Sequence, residues 1–280
     1  MIETVGVVGL GLIGGSVAKC LSFNAGKTVY GYDADKETMD KALSDEAIKK
    51  ELTKEILSSC DLVFVCLYPK DTVDFIKRNI NNFKKGAIIS DICGVKSFIS
   101  KNVKELCAEN SITYIGTHPM AGKEVGGYKN SETRLFKGAS AIISGGEKEA
   151  RAKEMKELLF EMGFGKVTLT DEENHDRIIA LTSQLAHIVS SSYVKSETAQ
   201  NFEGFSAGSF GDMTRVAKLN PLMWTELFMA NKTHLKTEIQ NIINRLTEYK
   251  LALENEDERE LYELLYDGNK IKEELLSHEN

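Results

Sequence analysis

The chain has 280 residues, a length typical of one large domain or two ordinary ones. Hydrophobic residues make up 42% and charged residues 28% of the sequence, which excludes disordered and fibrous classes. The net charge of −7 argues against a surface that grips nucleic acid, and no apolar run approaches the roughly 20 residues of a membrane span, so we expect neither partner.

The first part of the chain alternates short β-branched runs with helical patterns, which predicts a parallel sheet with crossover helices. The predicted strands are Thr4–Val8, Thr28–Asp33, Leu62–Leu67, Ala87–Asp91, Thr113–Thr117, Ser140–Ser144 and Lys166–Leu169. The predicted helices cover residues 12–25, 35–44, 70–81, 95–109 and 147–162. This order predicts an α/β fold class, with a Rossmann-type, mostly parallel sheet domain over residues 1–168.

The rest of the chain indicates helices only. Eighteen of the 22 glycines lie in the first 165 residues, and apolar residues at three- and four-residue steps predict a helix over 172–199. Asn220 and Pro221 offer an N-cap followed by a proline at the first helical position, so a further helix is predicted to about Tyr249. We expect an all-helical domain over residues 169–280.

A glycine motif follows the first predicted strand directly. Gly9 permits a tight turn, Gly11 lets the backbone approach a pyrophosphate, and Gly14 allows the next helix to pack closely on the strand. The second strand ends in Asp33, an acid that can accept from both ribose hydroxyls, and the only base close behind it is Lys36. This favours NAD over NADP as cofactor. The residues expected to bind it are Gly9, Gly11, Leu12, Ile13, Gly14, Asp33 and, from the segment below, Asp91.

Three further segments carry polar residues where packing alone would not require them. SDICGVKSFI at 90–99 and GTHPMAGKEVGGYKNS at 116–131 each begin near the end of a predicted strand, and the third segment, 202–231, lies in the helical part. Ligands of open α/β sheets bind outside the carboxyl ends of the strands. The first two segments are therefore expected to meet the substrate beside the nicotinamide.

Over nearly its whole length, the sequence resembles the prephenate dehydrogenases of tyrosine biosynthesis and the related arogenate dehydrogenases. The motifs that carry the resemblance are GLGLIGGS at 9–16, D-x-x-x-V-K at 91–96, HPMAG at 118–122, the helix around His187, and D-M-T-R…N-P-x-M-W at 212–224. The resemblance implies a Rossmann-type domain joined to a helical domain that forms a homodimer. It also implies NAD(P)-linked oxidative decarboxylation of prephenate to 4-hydroxyphenylpyruvate.

This chemistry suits two side chains of the matching motifs. Hydride leaves C4 of the cyclohexadienol ring while CO2 is lost, so a group must accept or polarise the C4 hydroxyl proton. His118, in the HPMAG motif, is suited to that role, because imidazole titrates near pH 6.5. Arg215 matches the arginine that binds a substrate carboxylate, since a guanidinium pairs with it bidentately. The reaction needs no metal, and we expect no metal site.

The resemblance assigns further residues to the substrate site. Glu124 matches an acid that pairs with the substrate arginine and gates the pocket, while Trp224 either reaches the partner's site or packs in the dimer core. His187 either lies near the substrate or serves packing. Lys96 is interpreted as a surface lysine at a helix start rather than a positive wall of the pocket. The predicted substrate-binding set is Arg215, His187, Glu124, Trp224, Gly94 and Lys123.

Two positions depart from the family pattern. Gly94 stands where many members carry a serine that helps orient the substrate hydroxyl and the histidine, and Cys93 or a water is a candidate substitute. One neutral hydrogen bond is worth about 0.5–1.5 kcal/mol, too little to abolish activity. Gln184 stands where relatives often carry a histidine, which weakens any role given to its helix.

Five scattered cysteines without a C-x-x-C pair predict a reduced protein of the cytoplasm. No separate regulatory or chorismate mutase domain is expected, so inhibition by tyrosine would be competitive. Other functions remain open: an arogenate dehydrogenase, a β-hydroxyacid or imine reductase of similar architecture, or an NAD-sensing protein without turnover. Steady formation of NADH from prephenate would exclude the last of these.

Overall fold

The structure, a computed structural model, describes residues 2–123, 125–145 and 151–277 of the chain. Among them are nine strands, most of which form from apolar and β-branched runs. The strands are β1 (Thr4–Val8), β2 (Thr28–Tyr32), β3 (Lys50–Glu51), β4 (Leu62–Val65), β5 (Ile88–Asp91), β6 (Thr113–Tyr114), β7 (Gly116–Pro119), β8 (Ser140–Ser144) and β9 (Lys166–Thr170). Six form a parallel sheet in the order β3-β2-β1-β4-β5-β6, which is the order of Rossmann-type folds. The predicted α/β class is confirmed.

The predicted strand Thr113–Thr117 is two strands that belong to different sheets. The chain leaves the six-stranded sheet after Tyr114 and enters a three-stranded sheet of order β7-β8-β9 at Gly116. There β7 runs antiparallel to β8, and His118 lies opposite Ile142. His118 therefore lies on a second sheet whose first strand continues directly from the edge of the first sheet.

Strand alternation divides the buried core between the two faces of the large sheet. In β4, Leu62 and Phe64 belong to one cluster of buried side chains, whereas Val63 and Val65 belong to a second cluster. Successive side chains of a strand point to opposite faces, so each face is covered by its own layer. A parallel sheet buried on both faces needs this continuous apolar pattern rather than alternation with polar residues.

Helices connect the strands and form nearly all of the chain after β9. They are α1 (Leu12–Lys19), α2 (Lys36–Ser44), α3 (Lys54–Leu57), α4 (Pro69–Asn79), α5 (Ser97–Glu109), α6 (Ala152–Glu161), α7 (Glu172–Ile179), α8 (Ala186–Tyr193), α9 (Gly208–Thr214), α10 (Pro221–Ala230), α11 (Lys232–Glu254) and α12 (Glu258–Ser277). Short 3₁₀ turns cover Ile80–Asn82, Tyr128–Asn130 and Glu197–Asn201, and π-helical turns cover Cys20–Asn24 and Ala180–Leu185.

Two predicted long helices are interrupted. The helix predicted over 172–199 ends its α-helical course at Tyr193 and contains the π-helical turn Ala180–Leu185. The helix predicted from Pro221 to about Tyr249 is divided between α10 and α11 at Asn231, a buried residue. The side-chain amide of Asn231 donates to the backbone oxygen of Asp176, so a tertiary contact coincides with the break.

The described residues form two compact units, one up to Lys232 and the other from Thr233 onward. The predicted boundary between residues 168 and 169 falls inside β9, just before the change from strands to helices, and it stays a prediction. None of the helices that the structure describes has the length and hydropathy of a membrane span.

Candidate active site

The glycine motif forms the turn between β1 and α1. Gly9 adopts φ +85°, and a β-carbon there would lie 2.6 Å from the backbone oxygen of Cys66, so a side chain is excluded by both conformation and space. A β-carbon on Gly14 would overlap the backbone oxygen of Gly9. These two positions allow the helix to begin immediately beside the strand.

The start of α1 is open on the side where phosphates are expected. Among the described atoms outside its own chain neighbours, none lies within 4 Å of a β-carbon built on Gly11, the N-cap residue. Leu12 and Ile13 begin the helix, and the N–H groups of a first turn have no acceptor within their own helix. An anion is stabilised at such an end by these donors and the helix dipole.

Asp33 follows the last residue of β2 and fixes the glycine turn. Its Oδ2 accepts from the backbone N–H of Leu10 at 2.7 Å, and its Oδ1 accepts from that of Asp35 at 2.9 Å. A carboxylate oxygen can accept more than one hydrogen bond, so the partly exposed group keeps capacity for ribose hydroxyls. The open turn, the helix start and this carboxylate fit a dinucleotide such as NAD.

His118 lies on β7 with part of its ring accessible. Its Nδ1 lies 2.9 Å from Nε2 of His175, whose own Nδ1 lies 2.8 Å from Oδ1 of Asp176. The pKa of His118 lies well below the ordinary 6.5. Burial is the largest cause, and the nearby His175 and Lys96 lower the pKa further. The ring is therefore neutral at neutral pH, the form required of a proton acceptor.

A buried ion pair lies behind this histidine. The Lys96 ammonium, fully buried, lies 2.5 Å from Oδ1 of Asp91, whose Oδ2 accepts from the Tyr114 hydroxyl at 2.6 Å. The interpretation of Lys96 as a surface lysine is wrong, because the side chain turns inward to meet this carboxylate. Removing one member of such a pair costs about 3–5 kcal/mol. The Asp91 carboxylate is engaged inside the protein, and its role in cofactor binding stays a prediction.

Gly94 lies directly beside the catalytic candidate. A β-carbon built on it would be 3.9 Å from both Cε1 and Nε2 of His118 and 3.6 Å from a methyl group of Leu227. Cys93, suggested as a substitute for the missing serine, points elsewhere: its thiol donates to the backbone oxygen of Leu67 at 3.3 Å. The sulfur is thus committed to another contact, and that suggestion is not supported.

Three of the predicted substrate-binding residues lie close together in the helical part. The rings of His187 and Trp224 have centroids 4.0 Å apart, and His187 Nδ1 donates to the backbone oxygen of Val216 at 3.0 Å. Val216 follows Arg215, an exposed residue at the end of α9. Trp224 lies one turn from Leu227 on α10, and Leu227 approaches Gly94. These contacts link the Arg215 segment to the neighbourhood of His118.

Of the other residues singled out in the sequence, the structure describes Lys123 and Gln184 but not Glu124. Lys123 is exposed and forms an ion pair with Glu132 at 3.1 Å. Glu124 lies outside the described residues. Gln184 is buried in the π-helical turn, where its side-chain oxygen accepts from Asn231 at 2.9 Å. Substrate-binding roles for Lys123 and Glu124 stay predictions.

The sequence analysis missed His175 and Asp176. His175 is hydrogen-bonded to the His118 ring, and Asp176 is hydrogen-bonded to His175. In the sequence alone, His175 marks only the start of the helix predicted over 172–199. Both are 1% exposed and share the buried face of α7 with Ile179. Polar residues on the apolar face of a helix were the available signal, because that face otherwise carries residues that need no partner.

Comparisons with known proteins agree with this arrangement. The family model described as "Prephenate dehydrogenase, nucleotide-binding domain" matches residues 17–169, and "Prephenate dehydrogenase, dimerization domain" matches residues 171–267. The glycine turn precedes the first matched residue, so its assignment depends on its own geometry.

Two named relatives align with almost the entire chain. A prephenate dehydrogenase of Lactococcus lactis is 26% identical over 97% of this chain and 77% of its own length. A cyclohexadienyl dehydrogenase of Zymomonas mobilis is 27% identical over 96% of this chain and 94% of its own. The crystal structure of a prephenate dehydrogenase from A. aeolicus with hydroxyphenyl propionate and NAD+ is 26% identical, with a TM-score of 0.85 over 98% of this chain and 99% of that one. Since the family models match most of its residues, this chain belongs to the prephenate dehydrogenase family.

Proposed function

We propose that the protein is an NAD-dependent prephenate dehydrogenase, which oxidatively decarboxylates prephenate to 4-hydroxyphenylpyruvate in tyrosine biosynthesis. The observation that carries this proposal is a neutral histidine, His118, whose Cε1–Nε2 edge lies beside Gly94. His118 lies in β7 and Gly94 lies just past the end of β5. Both strands come after the dinucleotide-binding turn along the chain. With His118 in this neutral form, this member of the family has the proton acceptor that the reaction requires.

The chain's own part in the reaction is to bind, orient and take a proton. Nε2 of His118 accepts the proton of the C4 hydroxyl as that oxygen becomes a phenol oxygen. NAD+ held by the glycine turn and Asp33 would supply the acceptor for the hydride that leaves C4. Loss of the ring carboxylate as CO2 completes the aromatic ring and leaves the C4 oxygen as a phenolate, to which the His118 imidazolium returns the proton. A general base of this kind contributes about 10²- to 10⁴-fold to the rate.

Arg215 is proposed to anchor a substrate carboxylate. A guanidinium pairs bidentately with a carboxylate, and a dianionic substrate needs a local cation in a chain of net charge −7. His187, which donates to the backbone oxygen of Val216, and Trp224, whose ring lies against that of His187, are proposed to support this anchor. Lys123 is proposed to contribute to substrate binding, and Glu124 is proposed, from the family resemblance alone, to pair with the substrate arginine and gate the pocket.

A spectrophotometric assay of NADH or NADPH formation tests the proposal. Prephenate and arogenate are each supplied with NAD+ and with NADP+, and prephenate with NAD+ is expected to give the highest kcat/KM. Arogenate is the second candidate substrate, because a cyclohexadienyl dehydrogenase is among the full-length relatives. No turnover in any of the four combinations would contradict the proposed function.

A homodimer is proposed as the working assembly. Residues 171–267 match a dimerization-domain model, and α11 and α12 expose large apolar side chains. Those exposed by more than half are Leu246, Leu253, Tyr262, Leu265, Tyr266, Ile271 and Leu275. Exposed apolar surface on this scale is typical of an interface.

The cytoplasm is the proposed location. All five cysteines, four of them buried, are free thiols. Free thiols are typical of proteins in a reducing compartment.

A further inference from the structure

A chain of three polar side chains extends inward from the catalytic candidate. His118 Nδ1 lies 2.9 Å from His175 Nε2, and His175 Nδ1 lies 2.8 Å from Asp176 Oδ1. His118 belongs to β7, whereas the other two are adjacent residues of α7. His175 and Asp176 are each 1% exposed, so water does not compete for these bonds.

The hydrogen bonds assign the protons in this chain of groups. An ionised carboxylate only accepts, so His175 donates from Nδ1 and keeps Nε2 as an acceptor. His118 must then donate from Nδ1, which leaves its Nε2 without a proton. Burial lowers the pKa of both histidines, so each ring is neutral with one proton. Burial alone would raise the pKa of Asp176, but hydrogen bonds from His175 and from the backbone of Lys96 and Ser97 hold it below 3.8.

We propose that His175 and Asp176 are positioning residues that hold His118 in the tautomer with a bare Nε2. This inference rests on the proposed function, in which that nitrogen takes the hydroxyl proton. The other tautomer would present an N–H to the substrate hydroxyl and could not accept. When His118 becomes an imidazolium, its Nδ1–H still points at His175, whose far side is held by the Asp176 carboxylate, so the new charge is stabilised.

Asp176 also has a structural contact that the test must separate from this role. Its two oxygens accept from the backbone N–H groups of Lys96 and Ser97, at 2.8 and 2.9 Å, where α5 begins. Glu172 joins the same two helices without touching His118, because its Oε1 accepts from Ser100 and Lys104. A Glu172→Gln variant therefore weakens the junction of α5 and α7 and serves as the matched control.

Steady-state kinetics of three full-length variants form the first arm. His175→Leu removes the acceptor for His118 Nδ1–H, and we expect kcat to fall about 100-fold or more with little change in KM, since an oriented base contributes about 10²- to 10⁴-fold. His175→Gln keeps an acceptor oxygen and is expected to stay within about tenfold of the wild type. Glu172→Gln is expected to lower the melting temperature and leave kcat unchanged.

Two-bond ¹H–¹⁵N spectra of the imidazole rings, recorded with NAD+ present, form the second arm. The wild type is expected to show His118 protonated at Nδ1 and bare at Nε2, and His175→Leu is expected to shift that population toward the Nε2–H form. A wild-type ring protonated at Nε2, or an unchanged tautomer and kcat in His175→Leu, would overturn the inference. The wild-type spectrum gives this answer even if His175→Leu does not fold.

The two proposals fail in different ways. Absence of turnover with every substrate and cofactor would end the proposed function and leave the tautomer measurement intact. Loss of turnover in a His118 variant, with His175→Leu as active as the wild type, would keep the proposed function and end the positioning role.

Discussion

At the scale of single residues, the ionisation of His118, the proposed proton acceptor, is expected to set the range of pH in which the enzyme works. Burial, together with His175 and Lys96, lowers the pKa of this ring well below 6.5. Catalysis needs the neutral ring, so kcat/KM is expected to stay level as pH falls through 6.5 and to decline only at lower pH. An acidic limb centred at or above 6.5, with cofactor affinity constant over the same range, would contradict this prediction.

The same pKa shift has a consequence for stability. Between the lowered folded pKa and the unfolded value near 6.5, the unfolded chain binds more protons at His118 than the folded chain does. Stability therefore rises with pH across that interval and is lost as pH falls through it. Burial lowers the pKa of His175 in the same direction, so the two rings act together.

Gly94 offers a gain-of-function test. A β-carbon there lies at ordinary contact distance, 3.9 Å from His118 Nε2 and 3.6 Å from Leu227, so Gly94→Ser should fold. Its hydroxyl would add a hydrogen bond beside the imidazole, worth about 0.5–1.5 kcal/mol, and we expect kcat to rise about 2- to 10-fold. Gly94→Ala is the control and should give no gain. Equal kcat for the serine and alanine variants would show that the hydroxyl contributes nothing.

Residues of the site differ in how far the sequence could predict them. His118 stands in a recognisable motif, but its partner His175 is 57 positions away, and only the packing of α7 against the sheet domain brings them together. Lys96 follows a loop at a helix start, a position at which most lysines are solvated. Lys96 is buried because its ammonium pairs with the buried Asp91 carboxylate. The two groups are brought together only when the chain folds, so the sequence does not show this pairing.

At the scale of elements, the β1–α1 turn and the end of β2 are proposed to set the preference between NAD and NADP. A carboxylate at Asp33 would face the 2′-phosphate of NADP, and repulsion of about 1 kcal/mol corresponds to about fivefold in affinity. We expect Asp33→Asn to lower KM for NADP+ by at least about this factor while kcat at saturating cofactor stays similar. The ratio of kcat/KM for the two cofactors is the measurement.

Asp35→Asn is the matched control for that change. Asp35 lies two positions further on, and its side chain caps α2 by accepting from Thr38, so the variant removes an equal charge without touching the ribose position. Its cofactor preference should equal that of the wild type. If Asp35→Asn changes the cofactor preference as much as Asp33→Asn does, the preference is set by the overall charge of this region and not by contact of Asp33 with the ribose.

Element boundaries were predicted well where local chemistry defines them and poorly where tertiary contacts do. Thr4–Val8 and Ser140–Ser144 match their predicted bounds because apolar β-branched runs end at polar or glycine residues. The predicted strand is divided at Ile115 because β6 pairs with β5 in the large sheet and β7 pairs with β8 in the small one. The local pattern of apolar residues does not predict this difference in pairing. The break at Asn231 involves a buried amide that binds Asp176, and asparagine alone is a weak signal for a break.

At the scale of the whole molecule, exposed apolar side chains on α11 and α12 argue for self-association. Leu246 is 62% exposed in the single chain, and such a side chain gains by burial against a second copy. Light scattering is expected to give twice the chain mass of 31.1 kDa, and Leu246→Glu is expected to weaken the dimer. A monomer at micromolar concentration would contradict the proposed assembly.

In the proposed reaction, His118 takes the substrate proton while the fold holds the cofactor beside it. The most direct measurement compares NADH formation from prephenate by the wild type and by His118→Asn, with NAD+ affinity measured by calorimetry on both. We expect kcat to fall about 10²- to 10⁴-fold while the affinity for NAD+ is retained, because only a transition-state interaction is removed. Turnover by His118→Asn close to that of the wild type would contradict the account.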